Sequence, residues 1–361
     1  MKNLIVGGGM SGLYLAYRCE NLNEDYMLLE ASEHLGGRMK GMPLDNITDI
    51  ELGATWFWQD MQPALARLIT ELGLEYYDDY LGEILTENMP GQPPVRVNYP
   101  FVSGQRVRGG FSKVITQLAE KIPAERVRVQ ASVREIRLND TMVAGTSEPL
   151  EVILANGERL YADRVWLAMP PRLAAETLHF EPDLPENLRK KWLNTDTWMA
   201  PHAKYVAIFD QPFWREAGLS GHGFSQVGPM TEIHELYGDN PTGCAALFGF
   251  VGIPAAARKQ LGEDKLVNLG VEQLRRLFGN GVDQHLVRVH VEDWAQNPLI
   301  ATERDGKSKG AHPTPAYPMA SEGVWRGRVI GVGSEFSPEF TGLVGGSVDA
   351  VDRAVNALLA A

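Results

Sequence analysis

Cysteine is scarce: Cys19 and Cys244 are the two in 361 residues. They build no disulfide framework, and such sparing use fits a reducing cytoplasm. No uninterrupted apolar run approaches the length of a membrane span, and the first strand-like segment begins at Leu4, which leaves no room for a signal peptide. Positive charge is also short. Against 46 Asp and Glu stand 34 Lys and Arg, a formal charge of −12 with no basic cluster, which argues against a nucleic-acid partner. Nucleophile triads, paired acids and bases and metal-ligand spacings are missing too. What the chain does have is a 44% hydrophobic content, ample for the cores of two domains at this length.

The most informative stretch is Val6-Gly7-Gly8-Gly9-Met10-Ser11-Gly12. Leu4 to Val6 reads as a buried strand, and Gly12, Leu15, Ala16 and Cys19 recur at helical spacing behind the glycines. Gly7 lets the chain turn out of the strand, Gly9 lets backbone approach a pyrophosphate, and Gly12 lets the helix pack close to the sheet. Phosphates then meet the free N–H groups at the helix start, contributed by Met10 and Ser11. Tyr26 to Leu29 is a second strand, closed by Glu30, whose carboxylate suits a ribose diol. Strand, helix and acid all stand where a dinucleotide site needs them.

Read with Leu29-Glu30-Ala31 and Gly36-Gly37-Arg38, this N-terminus resembles the FAD-binding signature of the flavin amine oxidase superfamily. That superfamily includes monoamine, polyamine and L-amino-acid oxidases. The resemblance implies FAD as cofactor, with Glu30 on the adenosine ribose and Gly37 and Arg38 along the pyrophosphate. It also implies an α/β fold: a Rossmann-like FAD-binding domain with a mixed α+β substrate domain built on a second sheet. The expected division is 1–75, 105–170 and 312–361 for the first, 76–104 and 171–311 for the second.

Further along, Glu51-Leu52-Gly53-Ala54-Thr55-Trp56 resembles the family segment that runs close to the flavin, and places Trp58 near the flavin or substrate. Pro63 to Leu72 has helical spacing and stops at Gly73. Residues 74–104 read as loops with a strand or two. Arg108-Gly109-Gly110-Phe111-Ser112 opens a helix where the family chain returns. Between Ala54 and this return the familiar amine oxidases carry a long helical insertion, cut here to a few tens of residues. The flavin face is then either open or covered by a second subunit in a homo-oligomer.

Arg126 to Ile136 alternates as a strand, with Val129 on the adenine side of FAD by resemblance. Leu150–Leu154, Asn156-Gly157 and Arg159–Tyr161 read as a hairpin with a type I′ turn. Lys204, inside the apolar strand ahead of Pro212-Phe213-Trp214, matches the family lysine that reaches flavin N5 through a water. A lysine there needs a partner if buried, the alternative being the solvent side of an edge strand. His202 reads as a structural or rim residue. Asp264 to Phe278 is a helix, Trp294 resembles the tryptophan ahead of the pocket loop, and Thr302 to Lys309 reads as a solvated loop.

Near the C-terminus, Gly333-Ser334-Glu335 and the glycine-led helix after Leu343-Val344 resemble the family's closing block. Glu335 is implied at the ribityl or pyrophosphate end, and backbone near Val344 at flavin N1 and O2, where a helix start stabilises reduced flavin. Two departures matter. Ala311 replaces the cysteine to which mitochondrial monoamine oxidases attach FAD, which implies non-covalent flavin. His312 and Leu343 replace the two tyrosines of the amine-aligning cage.

The resemblance thus implies a neutral small-molecule amine oxidised at its C–N bond to an imine, with O2 as electron acceptor and H2O2 as product. Lys204, Trp58, His312 and Leu343 are the residues it places at the reacting face. The lost cage leaves two other readings open: a flavin oxidase or dehydrogenase of another reduced compound, similar to renalase, and a non-catalytic flavin-holding partner protein.

Overall fold

The computed structural model describes residues 1–43, 49–80, 82–98, 104–138, 149–236, 245–308 and 310–358. Cys244 and Lys309 lie outside them. The fully buried strand Asn3–Val6 is the centre of a five-stranded sheet. Arg164–Leu167 and Tyr26–Leu29 flank it, and Val329–Gly331 and Val127–Arg128 form the edges. All four pairings are parallel. Parallel strands need cover on both faces, and side-chain alternation decides which residue meets which cover. Ile5 faces helices Met10–Asn21, Ser112–Glu120 and Val344–Leu358 through Leu13, Val114 and Val351. Leu4 and Val6 face the other way, onto Ile136, Val152 and Leu154. Each such fully buried side chain contributes roughly 1.5–3 kcal/mol.

Those last residues belong to a four-stranded sheet in the order Arg159–Ala162, Leu150–Leu154, Val133–Leu138, His179–Glu181. Three local expectations change here. The alternation from Arg126 to Ile136 is two strands in different sheets, because Gln130 adopts φ 53° and breaks the run after Arg128. The hairpin forms, but only Gly157 has positive φ at its turn. A type I′ turn needs positive φ at both central residues, so the reversal is instead a three-residue loop, Ala155-Asn156-Gly157, that ends in a left-handed glycine. The loop after Thr302 is not wholly solvated, since Asp305 is fully buried and receives a 2.6 Å hydrogen bond from Arg172.

The largest sheet has seven strands in the order Leu286–Asp293, Ala203–Phe209, Ala245–Val251, Met230–Glu235, Leu219–Ser225, Glu83–Glu87, Val95–Val97. One face carries Tyr205 and Leu247 against Leu266, Leu274 and Leu277 of helix Glu263–Phe278. Gly270 makes that contact possible, because a Cβ there would sit 2.3 Å from the Tyr205 ring. The opposite face presents Val206, Ile208 and Phe248, and these pack on Ile50 and Leu52, with Trp56 beside them. The segment after strand Asp49–Glu51 is therefore pressed against the sheet that carries Lys204. No helix among the described residues is long and apolar enough to cross a membrane.

Candidate active site

Between the parallel sheet and the seven-stranded sheet lies a cavity of about 1680 Å³. Its floor is the glycine loop. Gly7 has φ +111°, and a Cβ on it would lie 2.5 Å from Ala168 O. Gly12 is sterically still stricter, since its Cβ would fall 1.8 Å from Gly7 O; it packs the helix and does not itself face the cavity. Gly9 is different. A Cβ there would meet nothing closer than 3.8 Å, the backbone of Gly36 and Gly37, so the missing side chain leaves open space in the floor.

Around that space stand Met10, Ser11, Ala31 and Gly37, and no side chain caps the helix that starts at Met10. Its first N–H groups and positive end are thus available to an anion. Glu30 lines the cavity while its oxygens accept from Gly8 N at 2.6 Å and Ser32 N at 2.8 Å, which fixes the carboxylate's direction. These features fit a dinucleotide: an open glycine floor, uncapped amides and an oriented acid at one end.

Arg38 lines the next part of the wall. It makes two hydrogen bonds to Glu335, 2.5 Å and 2.9 Å, and a longer one to Ser334 Oγ at 3.4 Å. Burial alone would raise the Glu335 carboxyl, but the Arg38 charge and hydrogen bonds overcome this and hold it below its ordinary value. Glu335 is fully buried and outside the cavity lining, so it acts on the cavity through Arg38. Gly333, Ser334 and Val344 do line it, and Val344 begins the last helix, giving the cavity a second helix start. Trp294 lines it as well, with Lys40 Nζ 5.3 Å above its ring.

Val129 stands apart. Its side chain is 43% exposed, and the wall expected from it is made by Ala131, Ser132, Val133 and Arg134, because the chain turns at Gln130.

Lys204 is 2% exposed, in a strand paired on both sides, so the solvent-facing edge alternative does not hold. Its Nζ donates to Gly53 O at 3.0 Å and Thr55 Oγ1 at 2.7 Å and lies 4.2 Å from the centre of the Phe248 ring. Burial pushes its pKa down to about 7, against the pull of the Glu51 charge. The same burial pushes Glu51 up, opposed by Lys204 and by a 2.5 Å hydrogen bond from Phe111 N. Gly53 earns its place sterically: a Cβ would lie 1.7 Å from Arg38 O. Gly53, Ala54, Thr55 and Lys204 all line the cavity. A proton-active amine therefore opens onto the same space as the dinucleotide loop.

Trp58, His312 and Leu343 line it too, together with Trp198, which sequence reasoning missed. The rings of Trp198 and His312 stack at 3.6 Å and 12°. Gly342 lets the tryptophan in, because a Cβ there would stand 2.5 Å from Trp198 Cβ. His312 is thus one half of an aromatic pair whose other half comes from a distant segment. Phe250 and Glu232 of the large sheet also went unnoticed, and nothing in local spacing marks them.

A family model described as flavin containing amine oxidoreductase matches residues 80–359, and one for an NAD(P)-binding Rossmann-like domain matches residues 5–72. Putrescine oxidase of Kocuria rosea is 29% identical over 214 residues, 58% of this chain and 41% of that protein. The chain thus matches less than half of that relative's length. Amine oxidase B of Cavia porcellus is 21% identical over 464 aligned positions, covering 99% of this chain and 85% of the relative. An alignment longer than the 361 residues here means that relative carries segments this chain lacks. Among solved structures, putrescine oxidase bound to putrescine superposes with a TM-score of 0.81 at 20% identity, covering 100% of this chain and 99% of that one. Cyclohexylamine oxidase from Brevibacterium oxydans gives 0.77 at 18%, covering 99% and 98%. At these identities the superpositions establish the fold.

Proposed function

Because this chain belongs to the flavin containing amine oxidoreductase family, we propose that it oxidises an amine C–N bond to an imine, with O2 as electron acceptor and H2O2 as product. The observation that carries the reading is Lys204, a buried amine with a depressed pKa held against Gly53 and Thr55 in the wall of a dinucleotide-sized cavity. FAD, when bound, supplies the two-electron redox chemistry.

The chain's own residues do the rest. Gly7, Gly9, Met10 and Ser11 would hold the pyrophosphate of FAD through backbone, and Glu30 would hold a ribose. Arg38, kept straight by Glu335, would offer guanidinium N–H groups to the cofactor, and the helix start at Val344 would offer it partial positive charge. Lys204 Nζ, with a pKa near neutrality, can hold or release a proton at ordinary pH, as imine hydrolysis and O2 chemistry both require. Phe250, Trp198 and His312 supply aromatic surface for the substrate. Ala311 supports non-covalent FAD, and sparing cysteine use supports a cytoplasmic setting. The FAD-binding part is read as 1–75, 105–170 and 312–361, the substrate part as 76–104 and 171–311.

The test is an anaerobic flavin spectrum of the purified protein with primary amines, polyamines, amino acids and reduced nicotinamides, followed by air. Bleaching by an amine and recovery in air with H2O2 is the expected result. Bleaching by nicotinamides alone, or by nothing, overturns the reading.

A further inference from the structure

Two buried arginine–carboxylate pairs converge on the turn that carries Trp198. The first joins segments far apart in the chain. Arg172, on helix Pro171–Thr177, donates to Asp305 Oδ1 at 2.6 Å, to Asp196 Oδ1 at 2.5 Å and to Leu193 O at 2.9 Å. Asp305 also accepts from Thr197 N at 3.1 Å and from Thr302 N at 2.9 Å. The second pair is Arg38 with Glu335. Trp198 N donates to Glu335 Oε1 at 3.3 Å, and Trp198 O accepts from Arg38 Nη1 at 3.4 Å. Two consecutive amides, Thr197 and Trp198, are thus held by two different carboxylates, both fully buried.

The backbone that follows is strained. Met199 has φ 64°, a left-handed conformation that a residue with a side chain seldom adopts and that persists only where the surroundings over-determine it. The turn closes with Ala200 N on Thr197 O and His202 N on Met199 O. Trp198 and Met199 line the cavity, as do Gly306, Lys307 and Ser308 from the loop that Asp305 anchors. The Trp198 side chain itself is only partly buried, so packing alone does not fix the indole that lies flat on His312.

The donor pattern requires a carboxylate. Oδ1 of Asp305 takes Arg172 and Thr197 N, and Oδ2 takes Thr302 N. An asparagine would turn its own N–H2 toward one of those donors. Burying an ion pair costs desolvation that an apolar core avoids. What the pair adds here is direction, one backbone N–H from each of two cavity-lining segments aimed at one carboxyl group.

We infer that Asp305 and Arg172 are positioning residues for the reaction, fixing the backbone at Thr197 and Trp198 so that the indole stands preformed on His312 as a wall of the substrate face. This rests on the amine-oxidising reading above. A ring already in place costs nothing to order when substrate binds, whereas a loose one must be immobilised by the substrate.

The test uses the FAD-loaded protein and the amine that bleaches its flavin best. Asp305→Asn keeps the side chain's size and removes its charge. It is expected to raise KM about 2–10-fold with kcat held, the fold-change of ordering one large side chain on binding. Trp198→Ala is expected to raise KM too, and Asp305→Asn added to it is expected to raise KM no further. Additive effects would mean that Asp305 does not act through Trp198 and would overturn the inference. Arg172→Lys keeps the charge without the planar fork and is expected to give part of the Asp305→Asn effect.

A second readout needs no turnover. In fluorotryptophan-labelled protein, the fluorine NMR signal that Trp198→Phe removes is expected to shift in His312→Leu and to shift or broaden in Asp305→Asn. It is expected to stay in place in Leu274→Ala, a core variant on the far face of the large sheet. A Trp198 signal unmoved by Asp305→Asn overturns the inference. Should Asp305→Asn fail to fold, Asp196→Ala removes the partly exposed arm of the Arg172 fork and carries the same expectation and the same refutation. If no amine bleaches the flavin, the oxidation reading falls, and the fluorine signal alone decides this one.

Discussion

Replacing Lys204 by methionine keeps the length and apolar stem of the side chain while removing its amine. The cost of the lost hydrogen bonds is small, because Thr55 Oγ1 still donates to Gly53 O at 3.2 Å. The informative quantity is the pH dependence of stability. In the wild type, Glu51 is raised and Lys204 lowered, both to about 7, from ordinary values of 4.5 and 10.5. Between pH 4.5 and 7 the folded protein holds the extra proton, on Glu51, and stability falls as pH rises. Above 7 the unfolded chain holds the extra proton, on the lysine, so stability climbs by about 1.4 kcal/mol per pH unit toward 10.5.

Lys204→Met deletes the climbing limb. Glu51 also loses the charge that opposed its burial, so its carboxyl moves further up and the descending limb extends past 7. The variant is therefore expected to match or exceed wild type at pH 6, where Glu51 is protonated and no buried amine needs desolvation, and to fall progressively behind by pH 8.5. Urea unfolding of the FAD-loaded proteins from pH 6 to 8.5 measures the difference. Stability curves that stay parallel across that interval would refute a depressed Lys204 coupled to Glu51. The same variant is expected to slow at least one half-reaction, and stopped-flow bleaching and reoxidation that both match wild type would remove Lys204 from the chemistry.

Gly12→Ala forces a Cβ into Gly7 O, so the helix must shift; loss of bound FAD on gel filtration is expected, together with destabilisation in urea. Glu335→Gln leaves Arg38 without its counter-charge, at a cost of about 3–5 kcal/mol in urea and with weaker FAD retention. The Glu335 carboxyl is held low, so its contribution in the wild type is present above its ordinary 4.5 and is lost as pH falls through the lower folded value. Thr55→Val removes an acceptor of Lys204 and costs about 1–3 kcal/mol, with a shift in the pH profile of reoxidation; an unchanged profile would show that this hydrogen bond does not tune the amine.

Local physics determined the first half of the site. Gly7, Gly9, Gly12 and Glu30 stand at a spacing that a strand, a tight turn and a helix impose on one short stretch of chain, so the glycine floor is legible in sequence even though Ala168 presses on Gly7 and Gly36 and Gly37 lie over Gly9. The apolar run around Lys204 likewise announced a buried strand. Even the failures were local: a single left-handed Gln130 ended a strand whose alternation continued past it and turned Val129 outward.

The other half depends on contacts between segments far apart in the chain, which no periodicity records. Trp198 meets His312 across more than a hundred residues, and Arg38 meets Glu335 across almost the whole chain. Glu232 reads from sequence as one acid in an alternating strand. It becomes a cavity residue because antiparallel pairing sets it level with Lys204. The sequence by itself determined the glycine loop and Glu30, where strand, turn and helix follow one another along the chain. The tertiary structure alone decided the substrate end, where desolvation and register choose which charges remain available.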